Sequence, residues 1–290
     1  MIPLSKAHQE FIEHLKKRGR SGATVLAYGK DIAQLIEFLR ELQKVHVHDI
    51  TKEDLEAFMA KLTNSGYTPK SVSRKTNSTK TFFKFLKVQE YISDDPASFL
   101  AHPKVELKAP RILSKTEYSA LRDATKQDTR TYAIVEILLQ TGVRIGELAR
   151  IKLEDLKLVD GEKPGELIIH PIEGHDGRFI PLNKSVQNAV KEYIKIRPEV
   201  KDKTLFVTKT GKPLLIRNIR STLDRYFRIA EIPHAKVNDL RHTFVAHHLK
   251  RGASLMLVSK IAGHKRLSTT EKYLAYIDRP KEEIHELAEL

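Results

Sequence analysis

The sequence contains no cysteine. Disulfides, thiolate metal sites and cysteine nucleophiles are therefore excluded, and a reducing compartment is the expected setting. No apolar run approaches the roughly 20 residues needed to span a bilayer. The N-terminus lacks the apolar core of a signal peptide, so a cytoplasmic location is expected. Internal repeats and low-complexity segments are absent as well. The most informative absence is local. Between Ala57 and Gln89 there is no acidic residue, whereas Lys61, Lys70, Arg74, Lys75, Lys80, Lys84 and Lys87 are basic.

What is present sets the frame. A chain of 290 residues suggests about two domains, and 40% apolar residues supply material for real cores. The formal net charge of +14 favours a polyanionic partner, and nucleic acid is the commonest one inside cells.

Residues 1–101 read as a helical domain. Phe11, Ile12 and Leu15 form a first apolar stripe. Ser21 is placed to cap a helix carrying Val25, Tyr28, Ile32, Leu35, Ile36 and Leu39. "TKED", Thr51 to Asp54, fits a capping box. A fourth helix is predicted from about Pro69 to Val88. On it, Lys70/Arg74 and Lys80/Lys84/Lys87 share faces at three- and four-residue spacing. With Lys75 they form a positive surface that needs anions to meet. Ser71, Ser73, Thr76, Asn77, Ser78 and Thr79 lie among these charges, with side chains suited to phosphate and base-edge contacts.

Residues 102–113 carry two prolines and little periodicity, and read as a linker. The second domain is expected over 114–290. "SKTEY" starts a helix, Tyr132 to Leu139 is an apolar helix ending at "QTG", and "VRIGELARI" opens another with Arg144 in its first turn. "GELIIHPIEGHDGRFIPL" reads as a β-hairpin around the turn "EGHDG". A helix over 184–196, a short strand "TLFV" and further helices follow. The last nine residues form an amphipathic tail with Ile284, Leu287 and Leu290 on one stripe.

Four pieces of this second domain carry chemistry. They are "TGVRIGEL" with Arg144, "NDLRHTF" with Arg241, "IAGHKRLSTTEKY" with His264 and Tyr273, and the hairpin near Gly174. In the third, Gly263 is expected as a helix C-cap and Ser268 to Glu271 as a capping box for a helix whose second turn holds Tyr273. Guanidiniums grip non-bridging phosphate oxygens and can stabilise the charge that gathers there in a transition state. A tyrosine oxygen can attack phosphorus and hold it covalently. A histidine can bond a phosphate oxygen or help take the tyrosine proton. No metal is required.

These pieces together resemble the tyrosine recombinase (phage integrase) family, and most closely its Xer-like members. "TGVRIGEL" looks like the first arginine box, and "NDLRHTF" looks like "H-x-L-R-H-T-F". "AGHKRLSTTEKY" looks like "L-G-H" followed nine residues later by the nucleophilic tyrosine. In the first half, "SGATVLAYGKDI" and "KSVSRKTNSTKTFFKFL" resemble a family signature and the DNA-contacting helix. The resemblance covers nearly the whole chain.

It implies a mainly α fold: a helical, SAM-like core-binding domain, and a mostly helical catalytic domain with a small antiparallel sheet, closing around DNA as a clamp. It implies site-specific recombination through a 3′-phosphotyrosyl bond and a free 5′-hydroxyl, with neither cofactor nor metal. Arg144 and Arg241 would bind the scissile phosphate, His264 would assist, Tyr273 would be the nucleophile and Glu147 would support the site. Lys70, Arg74, Lys75, Lys80 and Lys84 would contact double-stranded DNA. Assembly as a tetramer on synapsed sites, with C-terminal tails exchanged between neighbours, is likewise implied.

Two positions depart from the family. Counting back eight residues from Pro181 places Glu173 where the family has its catalytic lysine, the donor to the leaving 5′ oxygen. His175, in the same turn, is a candidate substitute acid, its reference pKa being about 6.5. Asn238 stands where the family usually has histidine or lysine; its amide can donate a hydrogen bond but has no transferable proton. These departures leave open an alternative, a DNA-binding homologue with weakened or lost catalysis. A metalloenzyme built on His242, His247, His248 and His264 is disfavoured, because no carboxylate pattern such as "HExxH" accompanies them.

Overall fold

A computed structural model describes residues 2–106, 108–161, 163–172 and 176–278. Contacts divide the chain into two compact units, Met1–Lys108 and Ala109–Leu290. Among the described residues no helix is long and apolar enough to cross a membrane.

The first unit contains α1 (Leu4–Lys17), α2 (Gly22–Glu41), α3 (Lys52–Asn64) and α4 (Pro69–Val88). Three of these helices start with a side-chain cap. Ser21 accepts from the Thr24 N–H, Thr51 and Asp54 close a capping box, and Thr68 accepts from the Ser71 N–H ahead of a proline in the first turn. The apolar stripes meet in one core that includes Phe11, Leu35, Phe58, Phe82, Phe83 and Leu86.

The buried interior of this unit also holds an ionic network. Asp31 on α2 accepts from Lys75 Nζ at 2.9 Å, from Ser78 Oγ at 3.0 Å and from Arg74. Lys75 Nζ also donates to Gln34 Oε1 at 2.6 Å. The expectation of an uncompensated positive surface is therefore corrected at Arg74 and Lys75. Their counter-charge comes from another helix, and Lys75 is only 6% exposed. Thr76, Ser78 and Thr79 are buried too, so Ser71, Ser73 and Asn77 are the polar side chains left at the surface among the six expected there.

The second unit contains α5 (Lys115–Thr125), α6 (Thr129–Thr141), the single turn α7 (Ile145–Leu148), and strands β1 (Leu156–Lys157), β2 (Gly165–Ile169) and β3 (Arg178–Leu182). Then come α8 (Lys184–Ile196), α9 (Ile216–Ile229), α10 (Val237–Lys250), α11 (Leu255–Ala262), α12 (Ser268–Glu271) and a 3-10 turn, Lys272–Tyr276. The sheet is antiparallel in the order β1-β2-β3, with Ile169 opposite Arg178 and Glu166 opposite Pro181. It thus has one more strand than the predicted hairpin. "TLFV" forms only isolated bridges, Lys152 with Thr204 and Val207 with Pro213. Leu205, Phe206 and Val207 are all buried, so this run is core filling rather than a ladder.

Arg111 to Leu113, inside the expected linker, are tied to the second unit. Arg111 donates to the Pro233 carbonyl and to Glu117, and the Leu113 N–H donates to Thr243 Oγ1 at 2.8 Å.

Candidate active site

The site is organised by the C-terminal end of α11. Its last carbonyls would be unpaired in an isolated helix and carry the negative end of the helix dipole. Three successive carbonyls each accept from a different arginine. Ile261 O accepts from Arg178 Nε at 2.6 Å, Ala262 O from Arg241 Nη1 at 2.6 Å, and Gly263 O from Arg144 Nη2 at 2.7 Å. Gly263 makes this convergence possible. It ends α11 in the left-handed region at φ +69°, and a Cβ there would lie 2.7 Å from Arg178 Nη1.

Glu147 joins the arginines from below. Both its oxygens accept from Arg178, at 2.9 and 2.8 Å, and it also takes Arg144 Nη1 at 3.1 Å and the Arg144 N–H at 2.7 Å. Burial opposes its charge, but the bonds to Arg178 and Arg144 prevail and hold its pKa down at about 2. Arg144 therefore sits at the N-cap of α7, not in its first turn, because its own N–H is engaged by this carboxylate. Arg241 is 6% exposed and also donates to Gly142 O. Burial and the neighbouring charge of Arg144 lower its pKa to about 10, so it stays cationic at neutral pH.

Tyr273 lies in the 3-10 turn rather than in the second turn of an α-helix, and is 5% exposed. The expected capping box at Ser268 does not form. Leu267 already has helical angles (φ −56°, ψ −37°), which places Ser268 inside the turn. The Tyr273 ring stacks near His264, with centroids 6.4 Å apart and planes at 14°. His264 Nδ1 bonds Thr270 Oγ1 at 2.8 Å. Burial and then the charges of Arg241, Arg144 and Arg178 push the His264 pKa down to about 4, so its imidazole is neutral at physiological pH. Burial raises the Tyr273 hydroxyl above its ordinary value, with Arg241 opposing. The hydroxyl itself bonds His242 Nδ1 at 2.5 Å, and His242 Nε2 accepts from Asn238 Nδ2 at 2.7 Å. Beside them a cavity of about 430 Å³ is bordered by Arg220, Asp224, Lys236, Asn238 and Arg241.

Arg144, Glu147, Arg241, His264 and Tyr273, expected together from the sequence, thus meet in one place, and Asn238 reaches Tyr273 through His242. Glu173, His175 and the C-terminal tail lie outside the described residues. In the first unit Lys70 and Lys84 are exposed, Lys80 donates to the Ser98 carbonyl at 3.1 Å, and Arg74 is half-exposed at the Asp31 network. Two residues escaped the sequence reading. Arg178 begins β3, where alternate residues 178, 180 and 182 point inward; that alternation was the signal. His242 was visible only as a member of a histidine group. Among the described residues, no group of three or more metal-ligating side chains comes together.

The sequence pattern of the phage integrase family matches residues 111–279, and that of the N-terminal SAM-like domain of phage integrases matches residues 9–90. The chain belongs to the phage integrase family. This integrase-family chain is 32% identical over 279 residues to the tyrosine recombinase XerC of Staphylococcus carnosus (strain TM300), covering 93% of this chain and 92% of the relative. It is 31% identical to the tyrosine recombinase XerD of Staphylococcus saprophyticus, covering 91% and 92%. Its fold matches a lambda integrase dimer bound to a COC′ core site with a TM-score of 0.76 at 18% identity, over 98% of this chain and 81% of that one. It matches the XerH recombinase in a post-cleavage complex with palindromic difH substrate at a TM-score of 0.74 and 18% identity, over 91% and 81%.

Proposed function

We propose that this protein is a site-specific DNA recombinase that cuts and rejoins strands through a 3′-phosphotyrosyl intermediate. The observation that carries the reading is the convergence of Arg144, Arg241 and His264 around Tyr273 in a chain of this family. Tyr273 is the nucleophile. Arg144 and Arg241 bind the non-bridging oxygens of the scissile phosphate and stabilise the transition state, with His264 as a hydrogen-bond partner. Glu147 and Arg178 fix the orientation of Arg144. The phosphotyrosyl bond keeps the free energy of the diester, so religation needs no nucleotide and no metal. Double-stranded DNA is the substrate and a tetramer on paired sites the working assembly, with Lys70, Lys80, Lys84 and Arg74 among the phosphate contacts. Lys75 acts through Asp31 instead.

The test is a suicide substrate carrying the protein's own site, recovered by selecting bound genomic DNA. The wild-type protein forms a covalent adduct and Tyr273→Phe forms none. A wild-type protein that binds the site without adduct would establish the alternative, a DNA-binding homologue that has lost catalysis.

A further inference from the structure

Resting on Tyr273 as nucleophile, the reaction needs an acceptor for the tyrosine proton. Tyr273 is buried and its hydroxyl is harder to ionise than a free phenol. His264 lies against the ring, but its Nδ1 is engaged by Thr270. The nitrogen that touches the reacting oxygen belongs to His242, at 2.5 Å, with ring centroids 5.7 Å apart. One helical turn earlier on α10, Asn238 Nδ2 donates to the other ring nitrogen, Nε2, at 2.7 Å.

We propose that His242 is a catalytic residue, taking the Tyr273 proton on Nδ1 during cleavage and returning it during religation, with Asn238 as the positioning residue that sets its tautomer. An asparagine amide offers a donor at one end and an acceptor at the other. With Oδ1 toward the ring, Nε2 carries the proton and Nδ1 is free to accept. With Nδ2 toward the ring, the orientation seen here, Nε2 accepts, and Nδ1 carries the proton and donates to the tyrosine oxygen. A half-turn of the amide from the orientation seen here readies Nδ1 to accept, and the imidazolium then formed keeps Nε2–H on Oδ1 while its Nδ1–H can go back to the tyrosine oxygen. Asn238 then has a use that its lack of a transferable proton conceals.

In the step itself the bond from Oη to phosphorus forms as the bond from phosphorus to the 5′ oxygen breaks. The Oη proton passes to Nδ1. The departing 5′ oxygen takes a proton from water, the hydroxide left passes to the bulk solvent, and the imidazolium retains the proton that it returns to Oη in religation. The groups facing His242 are Asp239 and Arg241 on its own helix, and Tyr273 and His264 from the elements packed against it. Burial and then Arg241 hold the imidazole below its ordinary pKa, with Asp239 opposing, so the base form prevails at neutral pH.

The experiment measures adduct formation against pH on a suicide substrate whose 5′ leaving oxygen is replaced by sulfur. Sulfur departs without a proton donor, so the tyrosine proton alone limits the rate. For the wild type, the rate rises through the His242 titration and is flat at neutral pH. His242→Gln loses about 10²-fold at pH 7, the deficit shrinking toward pH 10 as hydroxide ionises Tyr273 directly. DNA affinity is unchanged. Asn238→Ala shows a smaller loss with the same pH trend. If His242→Gln does not fold, His242→Ala regains rate when imidazole is added. A wild-type rate in His242→Gln, a deficit equal at every pH, or no regain with imidazole overturns this inference alone. No adduct from the wild-type protein overturns both readings.

Discussion

A carboxylate buried between two guanidiniums ties pH to stability at Glu147. Its folded pKa, about 2, lies below the ordinary 4.5. A depressed carboxylate stabilises fully above its unfolded value, and the contribution is lost as pH falls through the folded one. The window here runs from about pH 5 down to about 2, and the shift is worth about 3 kcal/mol. Glu147→Gln is expected to lose about that much at pH 7 in urea denaturation and to show a flatter stability curve below pH 5. An unchanged curve would mean the charge is not engaged in solution. At this scale the sequence was most legible where residues are close along the chain. Arg144 and Glu147 are a turn apart, and His264 and Tyr273 share one segment. Arg178 was hidden because its partners are 31 and 83 residues away. His242 was hidden because its meaning depends on which side of α10 Tyr273 docks against, which helical spacing alone does not specify.

Helices are where composition and burial part company. The charges of α4 suggest one continuous basic surface, yet α2 contributes Asp31 to its interior side. Periodicity found the span of α4, and the caps Ser21 and Thr51 of α2 and α3 were legible too, because these are properties of a single segment. It missed the counter-charge because Asp31 is 44 residues upstream. Lys75→Ala should therefore act mainly on folding. It leaves Asp31 with Arg74 and Ser78 but removes a buried charge-assisted bond, for an expected loss of about 1–3 kcal/mol in thermal or urea unfolding. Lys84→Ala, on the exposed side of the same helix, should leave unfolding within about 0.5 kcal/mol of the wild type. Equal destabilisation by the two substitutions would contradict this division of labour. The predicted "TLFV" strand failed for a related reason. A short run of buried apolar residues looks the same whether it pairs as a strand or fills a core.

Over the whole molecule, the surplus charge of +14 governs how binding answers to salt. Affinity for DNA should fall steeply with ionic strength, because bound phosphates release their counterions. Neutralising Lys80 and Lys84 together should weaken binding to specific and random duplexes alike, and reduce the salt slope by about 2 if each meets one phosphate. Filter binding or fluorescence anisotropy from 50 to 200 mM salt reads both quantities, and an unaltered slope would place the phosphate contacts elsewhere. The three carbonyls at the end of α11 also have a bearing on the order in which the molecule comes into being. Arg144, Arg178 and Arg241 are all translated before Ile261, Ala262 and Gly263, and Tyr273 comes later still. A nascent chain short of residue 261 has Glu147 and Gly142 to hold these guanidiniums but lacks all three carbonyls on which they converge. On the proposed reading, cutting chemistry is withheld from unfinished chains, and translation itself becomes the safeguard against a half-made protein breaking DNA.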